Sequence, residues 1–327
     1  MPQPDVRSQV VAGPLQNVST AYRNPNYIAD RTFPIIERVG PKALITKYPK
    51  GAWFRDEAGI RAASTEAKRG GYPLSSDSVA LKEYAYAKEV SDEDRRDANA
   101  AGAPPVQPEQ DAVEFATDKI DLRKERLISA LIQATTWADG NSGGEDAEGL
   151  WAAGASNTFL ADIRKGCAAM HSKTGQRPNR LLIDYGTYLS LKEEATVLDK
   201  IKYTQRGVLT AELLAALLEL EMVLIGDAVY STAKENKAGT DFTASKIWEV
   251  NADKGMGFLY FVPPRPGLKT PCAGYQCRGA YEGGQARRIS FWRENSKHQD
   301  VYEVAEETDI VVTGSDLGYF WKDTLKT

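Results

Sequence analysis

The sequence predicts a mixed α+β protein that combines a long helix, a long two-stranded hairpin and a compact segment of alternating helices and strands. The first observation is an apolar repeat of seven residues between Pro108 and Asp139. The second is a pair of strand-like runs, Ala43–Tyr48 and Val79–Lys88, separated by a long polar connection. The third is the α/β texture of residues 157–271. Since a two-stranded hairpin is marginal in water by itself, part of this chain needs another surface to cover it.

The long helix is predicted from a single apolar stripe. The stripe contains Val113, Ile120, Leu127 and Ala134, with Ala116 and Leu131 in neighbouring turns. The remaining faces carry charged side chains: Asp118, Lys119, Arg123, Lys124, Glu125 and Arg126. About thirty residues at 1.5 Å each give a rod of roughly 45 Å. On periodicity alone, an ordinary domain-core or coiled-coil helix explains this pattern as well as a more specialised role does.

The composition is that of an ordinary globular protein of about two domains, with 327 residues and a net charge of −4. The acidic balance argues against a nucleic-acid binder that relies on overall charge. Three cysteines, Cys167, Cys272 and Cys277, favour a reducing cytoplasm over a secreted disulfide framework. No signal peptide and no apolar run long enough to cross a membrane are predicted.

Two segments are predicted to be arms without a core of their own. Residues 1–42 are rich in proline and have no sustained period, yet they contain Tyr27, Ile28 and Phe33, which are too apolar for a disordered tail. The connection from Asp56 to Ser78 is mostly Gly, Ser, Ala and mixed charge. It is interpreted either as a disordered surface loop or as the polar tip of a hairpin that another subunit completes.

The second half of the chain predicts a compact α/β domain followed by returning strands. Its predicted elements are a helix after Asn157, a strand at Leu181–Ile183, one or two helices over Thr187–Leu198, a helix capped by Thr210, and strands at Met222–Ile225 and Gly257–Val262. Later strands are predicted at Arg288–Arg293, Val301–Ala305, Ile310–Val312 and Tyr319–Trp321. We expect these later strands to join the long helix and the strand at Val79–Lys88 in a second domain.

No catalytic, cofactor-binding or metal-binding residue is predicted. The two histidines, His171 and His298, have no cysteine or carboxylate beside them at metal-ligand spacing, and Cys272 and Cys277 have no second pair. Phosphate-binding glycine loops and a nucleophile elbow are absent from the sequence. We therefore expect a protein that is not an enzyme.

The order of these elements resembles the major capsid proteins of tailed double-stranded DNA bacteriophages, which share the Hong Kong 97 phage capsid fold. The resemblance covers nearly the whole chain, although no short motif is diagnostic by itself. The ending, from Ser290–Glu294 through Asp309–Val312 to Leu317–Tyr319, is similar to the closing strands of one large group of these proteins.

The resemblance implies a division of the chain and a role for each part. The implied parts are an N-terminal arm (1–42), an extended β-hairpin loop (43–90), a peripheral domain with the spine helix (91–150), an axial α/β domain (151–271) and closing β strands of the peripheral domain (272–327). The implied contacts between subunits are made by Tyr27, Ile28, Phe33, Arg61, Lys68, Arg69 and Tyr72. In this interpretation the hairpin tip pairs with acidic residues of an adjacent subunit.

The same resemblance implies the partners and the location. Copies of the chain form hexamers and pentamers of an icosahedral shell, in the virion, after assembly in the bacterial host cytoplasm. A portal, and scaffolding or decoration proteins, are further implied partners; packaged DNA is contacted only non-specifically, and no membrane is involved.

Three alternatives remain open at this point. The first is the shell of an encapsulin nanocompartment, since encapsulins share the fold. The second is a soluble α/β enzyme with a site at the ends of the strands Leu181–Asp184 and Met222–Gly226. The third is a binding module whose hairpin recognises one partner.

Overall fold

The computed structural model describes residues 23–100, 107–154, 156–201, 209–234, 241–251, 254–267, 269–281 and 284–325. The helices are α1 (Ala29–Thr32), α2 (Lys50–Trp53), α3 (Asp92–Ala98), α4 (Pro108–Ala134), α5 (Phe159–Thr174), α6 (Tyr185–Glu193), α7 (Ala195–Ile201) and α8 (Ala211–Leu217). The strands are β1 (Ile35–Ile36), β2 (Lys42–Lys47), β3 (Ser75–Ala80), β4 (Lys82–Ser91), β5 (Glu145–Asp146), β6 (Arg180–Asp184), β7 (Met222–Gly226), β8 (Val229–Ser231), β9 (Ala244–Lys246), β10 (Met256–Tyr260), β11 (Gly274–Arg278), β12 (Arg288–Glu294), β13 (Gln299–Val312) and β14 (Gly318–Lys322). Residues 1–22 of the predicted arm lie outside the described residues.

One sheet, which we call the central sheet, has the strand order β5-β14-β10-β6-β7. The pairs β6–β7 and β5–β14 are parallel, whereas β10 is antiparallel to both of its neighbours. Its inner strands are buried on both faces, and alternate residues therefore enter two different cores. Leu181 and Ile183 face the helices α5 to α8, and Leu182 faces the opposite side together with Phe258.

The opposite side of the central sheet is covered by the C-terminal half of α4 and by the N-terminal segment, 23–36. Ile128 and Ile132 of α4 lie in the same core as Phe33, Phe258 and Tyr260. The long helix therefore packs against both sheets, because its N-terminal half contacts the second sheet.

The second sheet, which we call the spine sheet, contains β1, β11, β13 and β12 in that order, with β4 paired to β13. α4 packs across β4 and β13, where Ala116 and Ile120 cover Val304. β13 is one strand of 14 residues, so the predicted strands Val301–Ala305 and Ile310–Val312 are parts of a single element. Its first half pairs with β4 and β12, and its second half pairs with β11.

The predicted buried stripe of α4 is correct in the first half of the helix and wrong in the second. Ala116 and Ile120 are buried, as predicted, but Ala134 is exposed and Leu127 is only half-buried. The buried line continues instead through Lys124 and Ile128 and ends at Ile132, with Glu125 and Ser129 beside it. The sequence reading assigned Lys124 and Glu125 to solvent, because burial of a charge requires partners that lie far away in the chain.

The helix also ends five residues earlier than Asp139, at Ala134. Thr135 adopts an extended backbone, and the Trp137 indole donates to the carbonyl of Ile132 at 2.8 Å. The end of the helix is therefore capped by side chains that follow it, before the glycine-rich loop that the sequence suggested as the stop.

The hairpin contains fewer residues than predicted. β2 pairs with β3 over the register Lys42–Ala80 to Lys47–Ser75, and β4 belongs to the spine sheet rather than to the hairpin. The predicted run Val79–Lys88 thus contains two strands that meet at Leu81. The expectation that this run joins the later strands is confirmed for β4, which pairs with β13.

Two strands near the C-terminus differ from the prediction. β14 lies in the central sheet between β5 and β10, although we expected Tyr319–Trp321 to join the strands beside the long helix. Its three aromatic side chains are buried, which requires packing on both faces. β11 was not predicted, because Gly274–Arg278 has neither an alternating pattern nor a β-branched residue.

Candidate interaction surfaces

The N-terminal segment is fastened to the body of its own chain by the carboxylate of Glu125. The backbone N–H of Ile28 lies 3.1 Å from both oxygens of that carboxylate, and the N–H of Ala29 donates to Oε2 at 2.8 Å. These two groups are free donors at the start of α1, which has no cap from its own N-terminal residue. The Trp248 indole donates to Oε1 at 2.7 Å. One buried carboxylate therefore joins the N-terminal segment, α4 and the segment after β9.

The electrostatics of Glu125 follow from this burial. Removal from water raises the pKa of Glu125 to about 7, although the donors on Ile28, Trp248 and Ala29 stabilise the charged form. The neighbouring Asp227 adds a smaller increase. The carboxylate thus changes its charge within a few pH units of neutrality.

Further contacts fix the N-terminal segment along its length. The Asn24 side chain exchanges two hydrogen bonds with the backbone of Val229, at 2.8 and 3.0 Å. The Gln276 side-chain amide donates to the carbonyls of Ala29 and Phe33, and β1 pairs in parallel with β11. The end of the segment, β1, is therefore a strand of the spine sheet.

Two of the residues predicted to contact other subunits are buried within their own chain. Phe33 is completely buried, with its ring edge-on to Phe258 and Tyr260, and Ile28 is buried in the same core. Neither side chain is available to a neighbouring subunit in this conformation. Tyr27 is half-buried, and its hydroxyl donates to Asp118 at 3.0 Å. An apolar segment without a period can be covered by its own chain as well as by another one.

The hairpin, in contrast, extends from the body with an aromatic root. Tyr48, Trp53 and Tyr72 form a triangle with ring centroids 5.8 to 6.3 Å apart. The Lys269 ammonium lies over Tyr48 and Trp53, and Lys50 forms an ion pair with Asp316 at 2.6 Å. The root is therefore attached to the body by cation–π and ionic contacts.

Beyond this root the hairpin tip is solvent-exposed. Every residue from 58 to 76 is exposed, including Arg61 and Lys68, and Arg69 pairs with Glu66 within the loop at 3.3 Å. Large apolar side chains are also uncovered: Leu44, Phe54, Ile60 and Leu74. The structure thus separates the predicted contact residues into a buried group at the N-terminus and an exposed group in the hairpin. Their contacts with other subunits remain a prediction.

Strand β12 is an exposed apolar edge that the sequence reading did not single out. It pairs with β13 along one side, while Ile289, Phe291 and Trp292 are exposed. Phe291 is 73% exposed and stacks on Tyr302, its cross-strand partner. The sequence shows the large alternating residues of this strand. It does not show that the strand lies at the edge of a sheet, because that depends on which strands pair.

A cluster of six charges lies beneath the N-terminal segment. The fully buried Glu306 pairs with Lys124 at 2.9 Å, Arg287 at 2.7 Å and Arg278 at 3.2 Å. Burial by itself would raise the pKa of Glu306, but Lys124 and Arg287 lower it below its usual range. Asp30 and Asp121 complete the cluster with two more carboxylates. Three cations and three anions balance each other, so no bound ion is needed to neutralise the cluster. Its role is explained by the structure that it stabilises.

The strand ends considered for an enzyme site are occupied by this chain's own side chains. Asp184, at the end of β6, accepts hydrogen bonds from the backbone of Thr187 and Met256 and caps α6. Gly226, at the end of β7, lies so close to the Trp248 ring that a Cβ there would be 2.4 Å from it. Among the described residues, no group of three or more His, Cys, Asp or Glu side chains is placed to bind a metal.

No helix in the described part of the chain is both long enough and apolar enough to span a membrane.

Comparison with known proteins gives one relative by sequence and several by structure. The chain is 28% identical over 322 residues to the major capsid protein of Burkholderia phage BcepMu. The matched region covers 95% of each of the two chains. A phage-related protein from Bordetella bronchiseptica RB50 superposes with a TM-score of 0.65 at 19% identity, covering 94% of this chain and 95% of the other. The capsid of cyanophage P-SCSP1u gives 0.61 at 11% identity, covering 98% and 95%.

An encapsulin complex from Synechococcus elongatus PCC 7942 superposes less well, with a TM-score of 0.50 at 11% identity, covering 100% of this chain and 98% of the other. No family model matches the chain. These similarities identify the fold as the Hong Kong 97 phage capsid fold, which the order of elements predicted.

Proposed function

We propose that this chain, a phage major capsid protein by fold and by its whole-length relationship to one, assembles with copies of itself into the icosahedral shell that encloses a phage's double-stranded DNA. The resemblance noted in the sequence is confirmed. The observation that carries the proposed mechanism of assembly is the hairpin, in which every residue from 58 to 76 is exposed.

The hairpin is suited to binding between subunits because its apolar residues have no cover in the monomer. Ile60 at the tip and Leu44 on β2 are exposed, and burial of such side chains contributes roughly 1.5–3 kcal/mol each. The tip also carries Arg61, Lys68 and Arg69, which we assign to acidic residues of an adjacent subunit. Because a closed shell repeats each contact by symmetry, weak individual contacts suffice.

The divisions and partners implied by the resemblance extend this proposal. We assign the central sheet with α5 to α8 to the axial domain and the spine sheet with α4 to the peripheral domain. Hexamers and pentamers of the chain form the shell in the host cytoplasm, with a portal and with scaffolding or decoration proteins as further partners. We assign no catalytic role to the chain.

An encapsulin-type shell is the weaker alternative, because the relative found by sequence is a phage capsid protein and the encapsulin match is the less close one. The two strand ends considered for an enzyme site are filled by structural contacts, so they do not favour the enzyme alternative.

The test is to replace residues 55–71 with a short Gly-Asn turn, which keeps β2, β3 and the aromatic root. We expect an unchanged thermal transition, because the removed residues are almost all exposed, and loss of shells in negative-stain electron microscopy and light scattering. A loop of the original length made of Gly and Ser is the control for length. Wild-type shell formation by the shortened chain would contradict the proposed role of the hairpin.

A further inference from the structure

The exposed side of α4 carries a strip of positive charge. Between Phe115 and Gln133 this side contains the half-buried Lys119 and the exposed Arg123 and Arg126, which are spaced by four and three residues and therefore lie on one side of the helix. The nearby carboxylates point elsewhere: Asp118 accepts from Tyr27, and Asp121 pairs with Arg287. A groove of about 300 Å³ separates this strip from β4. We call it the basic groove; its lining is Tyr84, Ala85, Tyr86, Lys119, Ile120, Leu122, Arg123 and Arg126.

Aromatic rings position these cations without neutralising them. Arg123 lies 5.9 Å from the Tyr84 ring centroid, and Arg126 lies 4.2 Å from that of Tyr230. Lys119 lies over the Phe115 ring at 5.0 Å, together with Lys88 of β4 at 5.3 Å. Within the described residues, none of these four cations forms an ion pair. Three arginines on or next to β12 contrast with them, since Arg287, Arg288 and Arg293 contact two carboxylates each.

We propose that the basic groove contacts the phosphate backbone of packaged DNA and that this face of the subunit lines the interior of the shell. The proposal rests on the proposed function. From Lys119 to Arg126 the helix rises roughly 10 Å, which spans about three phosphates of one strand at 3.4 Å each. The contact is independent of sequence, because it is made to phosphates rather than to base edges.

A nucleic acid fits the groove better than an acidic helix of another protein. A protein helix needs an apolar groove for its anchor residues. Here Ile120 is buried beneath the helix, and cations of this chain lie over the Phe115 and Tyr84 rings, so an approaching helix would meet positive charge at both rings. Few cations per subunit also suit a container, since each contact is weak and salt-sensitive while their number in a shell is large.

The test measures binding of the full-length, unassembled chain to a 30-base-pair duplex by fluorescence anisotropy between 50 and 200 mM salt. The variant is Lys119→Gln, Arg123→Gln and Arg126→Gln, which preserves helix propensity. The matched control removes three other exposed cations by Arg164→Gln, Arg177→Gln and Lys200→Gln. We expect the slope of log affinity against log salt to fall by about 2.7 in the groove variant, and to change by much less in the control.

An equal slope in the groove variant and the control would overturn the proposal. Tighter binding of a polyglutamate peptide than of the duplex at equal salt would also overturn it, in favour of an acidic protein partner. Electron microscopy of the same preparations separates the two claims. Absence of shells from the wild-type chain counts against the proposed function, whereas the salt slope reports on the groove alone.

Discussion

The N-terminal segment and the hairpin tip look alike in the sequence, and the fold treats them in opposite ways. Both have little regular structure and no core of their own. Residues 24–36 are nevertheless bound into the spine sheet and the main core, whereas residues 58–76 are exposed. The difference teaches that lack of periodicity does not identify a segment that needs a second subunit.

The cause of the difference is whether the rest of the chain offers each segment complementary hydrogen-bonding and apolar partners. The N-terminal segment presents two free N–H donors to a buried carboxylate and one large ring to an aromatic core. The hairpin tip has scattered charges and only Ile60 as a large apolar residue between Arg55 and Gly71. Nothing in the described body of the chain is complementary to it.

The largest effect expected from this comparison is that of Phe33→Ala. The ring is fully buried against Phe258 and Tyr260, so its removal leaves a cavity and costs roughly 3–5 kcal/mol of unfolding free energy. The matched control is Ile60→Ala at the exposed tip, which we expect to change stability by less than about 0.5 kcal/mol. Urea unfolding of the unassembled chains measures both. A small loss for Phe33→Ala would mean that the N-terminal segment is not part of the core.

The second expected effect concerns the pH dependence of the same attachment. The pKa of Glu125 is raised to about 7 from its ordinary value of 4.5, so between these two values the folded chain binds a proton that the unfolded chain has released. The Glu125 contribution to stability therefore falls as pH rises from about 4.5 to about 7. The measurement is the difference in unfolding free energy between the wild-type chain and Glu125→Gln across that range. A difference independent of pH would show that burial does not perturb this carboxyl group.

The smallest effect is expected at the root of the hairpin. Trp53→Ala removes ring contacts with Tyr48 and Tyr72 and the cation–π contact with Lys269. Aromatic pairs contribute about 0.5–1.5 kcal/mol each when buried, and Trp53 is half exposed, so we expect a loss of about 1 kcal/mol at most.

This loss is local, and we expect faster amide hydrogen exchange in β2 and β3 with an unchanged global transition. The control is the adjacent Phe54→Ala, whose exposed ring makes no ring contact within the described residues. Equal exchange rates in the two variants would show that the aromatic root does not orient the hairpin.

Much of the candidate surface was predictable because it depends on local composition. The exposed tip follows from the scarcity of large apolar residues between Asp56 and Ser78, and the charged tip residues Arg61 and Lys68 are exposed. The basic groove was not predicted. Its cations were visible along α4, but their lack of carboxylate partners depends on where Asp118 and Asp121 point.

The sequence by itself determined the elements whose signals are local. Thr210 caps α8 through the backbone of Leu213, the apolar strands at β6, β7 and β10 form near their predicted positions, and α4 begins at Pro108. Caps, β-branched runs and helix-starting prolines act within a few residues, so they can be read without knowledge of the fold.

Only the tertiary structure decided which surfaces those elements bury. Glu125 is buried because donors about a hundred residues away in the chain meet it, and Lys124 because Glu306 lies beneath it. The aromatic strand β14 enters the central sheet because that position covers both of its faces. Such choices depend on distant partners, whose contacts pay for the burial of charge and of ring surface only after the chain has folded.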